Sequence, residues 1–321
     1  AMHVSARMAI HEELIPALER LEEALREKAD AFDHVVKSGR THLQDATPVR
    51  LGQEFGAWAQ QVRRGRERVE RASEELAEVA LGGTATGTGI NTHPEFARKA
   101  LGRVSEATGL EVREAGDHFE AQGAKDAVVS ASGALNTLAA GLMKVADDVR
   151  WLASGPTSGL GELALPAVQP GSSIMPGKVN PVMAEALMMV CVRVMGNHTA
   201  ITVGGSRGNL ELNVMMPVMA QALLESVTLL ANASVVFADR CVEGIRANEE
   251  RIRELLERNP SIATALNPYI GYDRAAEVAK QAAREGRSVR EVALEMDLMP
   301  EDELDEALAV REMTEPGLPD H

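Results

Sequence analysis

Three stretches of the chain repeat apolar residues in alternating steps of three and four, and few folds accommodate that. Leu14, Leu18, Leu21, Leu25, Phe32 and Val35 form one series, with Lys28 in its single polar slot. Phe55, Ala59, Val62, Val69, Ala72, Leu76 and Val79 form a second. Val128, Ala131, Leu135, Leu138, Leu142, Val145, Val149 and Leu152 form the third and cleanest. A mean spacing of 3.5 residues puts each series on one helix face and favours near-parallel packing. The expected fold class is all-α, a bundle of long helices. Strand-like alternation of any length is not expected, nor is an internal repeat. Pro16 either kinks the first helix or marks its start, and Pro217 raises the same question between about Leu210 and Cys241.

The loops carry unusual chemistry. Ser38 to Pro48 reads as the connection between the first two helices. Leu81 to Pro94 is rich in Gly and Thr, and Thr92 with Glu95 reads as a capping box. Gly82 to Gly89 fits neither a P-loop nor a dinucleotide fingerprint and reads as a tight turn where backbones pass closely. Ser154 to Pro181 is the longest irregular stretch, and a loop of that length in a helical protein is usually functional or disordered. Past about Asn248 the helices become short and charged. The expected organisation is a central helical-bundle domain over 1–249 and a small C-terminal helical domain over 250–321, with a frayed tail from about Glu315.

Charge and composition exclude some functions. With 48 acidic and 33 basic residues the formal net charge is −15, which argues against a nucleic-acid partner. No uninterrupted apolar run reaches membrane-spanning length, so no membrane association is expected. Two cysteines, Cys191 and Cys241, make no disulfide framework, and a cytoplasmic location follows as the default. No His or carboxylate spacing matches a known metal-ligand set, so no metal is expected. Because Ala1 precedes Met2, the sequence reads as part of a longer chain.

Two segments could carry chemistry. Gly171-Ser172-Ser173-Ile174-Met175-Pro176-Gly177-Lys178-Val179-Asn180-Pro181 places two hydroxyls, an ammonium and an amide in one punctuated loop. Asn180 and Pro181 suit the N-cap and first position of a following helix, whose free N–H groups and dipole favour an anion. Such a loop reads as a carboxylate or phosphate cradle, although a capped turn with a solvated lysine has the same composition. Arg40-Thr41-His42-Leu43-Gln44-Asp45 sets His42 among hydrogen-bonding side chains, where it could act as a general acid or base. Glu185, in the second turn of the expected helix, could orient such a histidine. His3, His11 and His34 look like packing or surface residues.

The loop from Gly171 to Pro181 resembles the signature of the fumarase/aspartase superfamily, and Gly39 to Pro48 resembles a second signature of that family. Within it the chain is most similar to class II fumarases. His42 after Thr41 and Gly177 before Lys178 mark that branch. Gly89 to Pro94, Gly208 to Val214, Thr264 to Asn267 and Ile270 to Asp273 are also similar.

The resemblance implies reversible hydration of fumarate to (S)-malate through an aci-carboxylate, without metal or other cofactor. By the same resemblance Ser172 matches the base. His42 matches the residue that protonates the departing hydroxyl, and Glu185 its carboxylate partner. Thr41, Ser173, Lys178, the Val179 backbone and Asn180 match the groups that bind substrate carboxylate. It implies a homotetramer whose active sites take loops from three chains. Family members also carry an N-terminal segment with a Ser-Ser-Asn substrate-binding motif and a peripheral anion site, neither of which lies in these residues. The rival expectations are a sister lyase acting on aspartate and a catalytically incomplete helical fragment.

Overall fold

A computed structural model describes residues 1–317; the last four residues of the expected frayed tail, 318–321, lie outside them. The helices are α1 (Met2–Ala9), α2 (Ile15–Ala31), α3 (Leu51–Glu75), α4 (Phe96–Thr108), α5 (His118–Gly123) and α6 (Asp126–Leu152). They continue as α7 (Val182–Gly205), α8 (Met216–Arg240), α9 (Glu249–Glu257), α10 (Asn267–Ile270), α11 (Tyr272–Glu285), α12 (Val289–Glu295) and α13 (Glu301–Ala307). The result is the expected helical bundle, with four small two-stranded sheets among the described residues.

These residues form two compact units. One comprises Ala1–Leu25, Trp58–Trp151 and Pro166–Gly244. The other comprises Arg26–Ala57, Leu152–Leu165 and the chain from Ile245.

The first unit is built on the apolar seams. Every member of the series from Val128 to Leu152 is buried, as are Leu14, Leu18, Leu21 and Leu25. Polar contacts tie the helices side by side. Trp58 Nε1 of α3 donates to Asp148 Oδ2 of α6 at 3.2 Å. Arg66 of α3 lies 3.3 Å from Glu19 of α2. Asn197 of α7, buried, donates to Ser226 Oγ of α8 at 3.1 Å. His3 and His11 are packing residues as expected, bonded to Glu78 O at 2.7 Å and Ser73 Oγ at 3.1 Å.

Local expectations fare differently. Pro16 does not begin the helical run, which starts at Met2; it is the second residue of α2 and follows a π turn over Ile10–Leu14. The proline ring cannot sit against the carbonyl four residues back, and the widened turn relieves that conflict. Pro217 marks the start of α8, one of the two alternatives, lying in its first turn where its missing N–H costs nothing; the helix thus starts at Met216 rather than near Leu210. Thr92 and Glu95 form no capping box, since α4 begins at Phe96 without a side-chain cap; the Glu95 N–H bonds His93 Nδ1 instead. Finally, Asp126–Leu152, Val182–Gly205 and Met216–Gly244 are long and apolar enough, by length and composition, to cross a membrane. The reading from uninterrupted runs missed this, because isolated polar residues interrupt each run without lowering its mean hydropathy much.

The second unit has its own core, formed by Leu256, Ile262, Leu266, Val278, Val292, Leu304 and their neighbours. Its main departure from expectation is a β-hairpin. Strands β1 (Val36–Thr41) and β2 (Gln44–Arg50) pair antiparallel where a loop was expected. Near the chain end, Arg50 bonds Glu315 and lies 2.8 Å from Asp33, while Gln53 Nε2 reaches Thr314 O at 3.1 Å. The tail is therefore anchored through Glu315 rather than frayed from it.

Candidate active site

The loop before α7 closes on itself. The Gly171 N–H donates to Lys178 O at 3.0 Å, and Asn180 Nδ2 donates to Gly171 O at 2.8 Å. A side chain at Gly171 would collide with the Lys178 carbonyl, so only glycine permits the closure. Inside the ring, Ser172 Oγ accepts two backbone N–H groups, from Ile174 at 3.1 Å and Met175 at 3.0 Å. Two donors on one oxygen favour negative charge there. Ser173, Lys178 and Val179 are exposed on the same ring. The Lys178 ammonium has no ion-pair or hydrogen-bond partner among the described residues, so its charge is open to an incoming anion. The carboxylate-cradle reading thus has a definite geometry.

The helix start differs from expectation. Val182 is the first residue of α7 and Pro181 its cap, with no side-chain capping bond. Asn180 does not cap, because its amide closes the ring. Glu185 stands in the first turn of α7, not the second, and is half-buried.

Gly171→Ala is expected to open the ring. The amides of Ile174 and Met175 should then exchange about tenfold faster or more while helical circular dichroism is unchanged. Unchanged exchange at those two amides would show that ring closure does not hold the Ser172 geometry.

Thr41 and His42 belong to the second unit, on the hairpin; Ser172, Ser173, Lys178, Val179, Asn180 and Glu185 belong to the first. His42 and Leu43 are the two central residues of a turn, with φ of 56° and 59°. Positive φ at both positions matches a type I′ hairpin turn, which is normally supplied by Asn-Gly. A leucine there is uncommon and strained, and such strain concentrates at functional sites. The turn projects Thr41 and His42 into solvent.

The sequence reading missed the groups beneath this hairpin. Lys37 and Glu162 are buried, and Lys37 Nζ lies 2.9 Å from Glu54 Oε1 and 3.1 Å from Glu162 Oε2. Arg40 Nη2 donates to Glu162 Oε1 at 2.8 Å. Asn259, also buried, donates to Ser38 Oγ at 3.0 Å and Ala46 O at 2.7 Å. The available sequence signal was only that Lys37, Arg40 and Glu162 flank the two candidate segments. The Gly82–Gly89 loop packs closely as expected, with Gly89 against the Gly82 carbonyl and both Gly87 and Gly89 N–H groups on Gly83 O, and it also meets the His118 and Gln122 side chains. No group of three or more His, Cys, Asp or Glu suited to a metal occurs among the described residues.

Known families match two parts of the chain. Residues 1–196 match the family described as "Lyase", and residues 262–315 match "Fumarase C C-terminus". The mitochondrial fumarate hydratase of Saccharomyces cerevisiae is 53% identical over 315 residues, covering 98% of this chain and 64% of that protein. The class II fumarate hydratase of Methylorubrum extorquens is 51% identical over 317 residues, covering 99% and 67%. A crystal structure of class II fumarase from Schistosoma mansoni superposes with a TM-score of 0.94 at 36% identity, covering 98% of this chain and 68% of that one. The chain spans about three fifths of the length of the mitochondrial relatives it matches.

Proposed function

The chain belongs to the lyase family, and from that premise we propose that it carries the catalytic loops of a fumarate hydratase, interconverting fumarate and (S)-malate. The observation that carries the reading is the Ser172 oxygen, held by two N–H donors in a closed ring that also exposes the Lys178 ammonium. A serine hydroxyl is a weak base unless its alkoxide is stabilised, and this ring supplies the required donors and charge.

In the dehydration direction, Ser172 takes the proton from the carbon beside one malate carboxylate. The electron pair moves into that carboxylate, giving an aci-carboxylate dianion. Lys178, Asn180, Ser173, Thr41 and the Val179 N–H stabilise the growing charge, the effect that usually dominates such catalysis. His42 gives a proton to the departing hydroxyl through a bound water, and water leaves as fumarate forms. Glu185 of another copy of the chain is assigned to pair with that histidine and set its basicity. The net charge of −15 does not oppose a dianionic substrate at the loop, because salt screens distant surface charge beyond about 10 Å.

A homotetramer with shared active sites completes the reading. It is supported by the apolar side chains that α7 leaves in solvent, with Met189 70% and Val192 61% exposed. We assign 1–249 to the lyase domain and 250–321 to a small C-terminal domain, supported by the core gathered between Leu256 and Leu304. Cytoplasm is the assigned compartment. Burial pushes the free thiols of Cys191 and Cys241 up to about 12, which keeps them inert in a reducing environment. The names of several relatives make the mitochondrial matrix the competing location.

The test is ultraviolet absorbance of fumarate after (S)-malate is added to the purified chain, with L-aspartate in parallel. Fumarate from malate alone is expected. Fumarate from aspartate would transfer the chain to the ammonia-lyase branch. Silence with both, persisting after a relative's N-terminal segment is joined to the chain, would overturn the reading.

A further inference from the structure

The hairpin that bears His42 rests on a group of four charges, two buried (Lys37, Glu162) and two half-buried (Arg40, Glu54). Lys37 sits between Glu54 Oε1 at 2.9 Å and Glu162 Oε2 at 3.1 Å, and Arg40 reaches the other Glu162 oxygen at 2.8 Å. Lys37 is 1% exposed and Glu162 0%. Two cations and two carboxylates balance, which is the condition under which buried charge is tolerated. Satisfaction is incomplete, because Arg40 Nη1, Glu54 Oε2 and Glu162 Oε2 are buried without hydrogen-bond partners, Glu162 Oε2 having only its ion pair with Lys37. Burial pushes the Glu54 carboxyl upward, while the neighbouring Lys37 draws it back. A cluster of this kind adds little net stability compared with an apolar one, but it fixes one geometry.

The geometry it fixes is that of the turn. Lys37 and Arg40 lie on β1 itself, and Arg40 is the residue before Thr41. Between them Gly39 faces two residues of β2, Ala46 and Thr47, in a bulge. A Cβ at Gly39 would stand 2.5 Å from Thr47 O. The extra residue lies on β2, and a bulge there bends and twists the strand pair and re-aims the turn beyond it. Lys37 and Arg40 would point to opposite faces of a regular strand, yet both reach Glu162. The Glu162 backbone is in turn pinned, its N–H to Leu152 O at 2.8 Å and its carbonyl to the Asn248 N–H at 2.8 Å. From the other side Asn259 grips Ser38 and Ala46, and Ser261 Oγ donates to Asp45 O at 3.1 Å. The strained His42-Leu43 turn is thus over-determined by its supports.

We propose that Lys37, Arg40, Glu54 and Glu162 form a positioning device for His42, holding the Thr41–His42 turn in its working orientation through strand β1, which pairs with the bulged strand β2. The inference rests on the reading of His42 as the residue that works on the departing hydroxyl. None of the four touches substrate in this scheme; they act through the turn.

The test uses Glu162→Gln, which keeps the shape and removes the charge. In hydrogen exchange, the amides from Arg40 to Gln44 should lose about tenfold protection or more, while those around Val278 in α11 stay as in the parent chain. Turnover of (S)-malate should fall about 10–100-fold in kcat with KM nearly unchanged, as for a misplaced catalytic group. Should Glu162→Gln fail to fold, the double variant Lys37→Met/Glu162→Gln restores charge balance. It should regain α11 protection while the hairpin stays loose. Unchanged hairpin protection in a folded variant would overturn the device. A loosened hairpin with unchanged kcat would overturn it in another way, by removing His42 from the chemistry. The exchange measurement needs no turnover, so a silent malate assay would count against the hydratase reading and not against the device.

Discussion

Replacing Ser172 with alanine is expected to lower kcat for the proposed hydration by about 10²–10⁴-fold, the range for loss of a positioned acid or base. KM should change little, because the carboxylate-binding groups of the ring remain. The substitution is clean in structural terms. Ring closure uses the Gly171 N–H, the Lys178 carbonyl and the Asn180 amide, none of which involves the serine hydroxyl. The N–H groups of Ile174 and Met175 lose their acceptor, but both residues are exposed, with Ile174 at 85%, so water replaces it. Unfolding midpoints should therefore match those of the parent chain. Near-normal kcat in Ser172→Ala would remove the serine from the base role and turn attention to a water or another group at the ring.

Leu135→Ala should cost about 2–5 kcal/mol, the range for truncating a fully buried leucine in a core that cannot collapse around the cavity. Leu135 is 0% exposed, and the neighbours above and below it on α6, Ala131, Leu138 and Leu142, are buried too. Urea unfolding should show a lower midpoint with an unchanged slope. A loss below about 1 kcal/mol would mean that the seam relaxes readily and is not the rigid centre of its unit. The Ser172→Ala and Leu135→Ala experiments separate the two things the chain must do. The first removes chemistry without disturbing packing, and the second disturbs packing away from the loop.

The seams were legible because an apolar face is a local property. A residue three or four places on lies on the same side of a helix whatever else the chain does, so the series from Val128 to Leu152 could be read directly. The candidate loop was legible for a related reason, since its glycines, prolines and polar groups lie within eleven consecutive residues. Its internal wiring was not. That Asn180 closes the ring instead of capping α7 depends on where the chain returns, not on which residues it holds.

The hairpin was invisible because its strand lacks the expected alternation. Lys37, Ser38 and Gly39 are buried in succession, one side against Glu162 and Glu54 and the other against Asn259. A strand covered on both faces by polar partners has no period-two apolar signal. The buried charge cluster was unreadable for the deepest reason: Arg40 and Glu162 are 122 residues apart. By itself the sequence determined that long helices would bury their seams and that a particular loop could cradle an anion. Tertiary structure alone decided that a buried lysine and glutamate would meet a half-buried arginine and glutamate beneath His42. Charges seek whatever partner the fold brings near, and no local pattern records that choice.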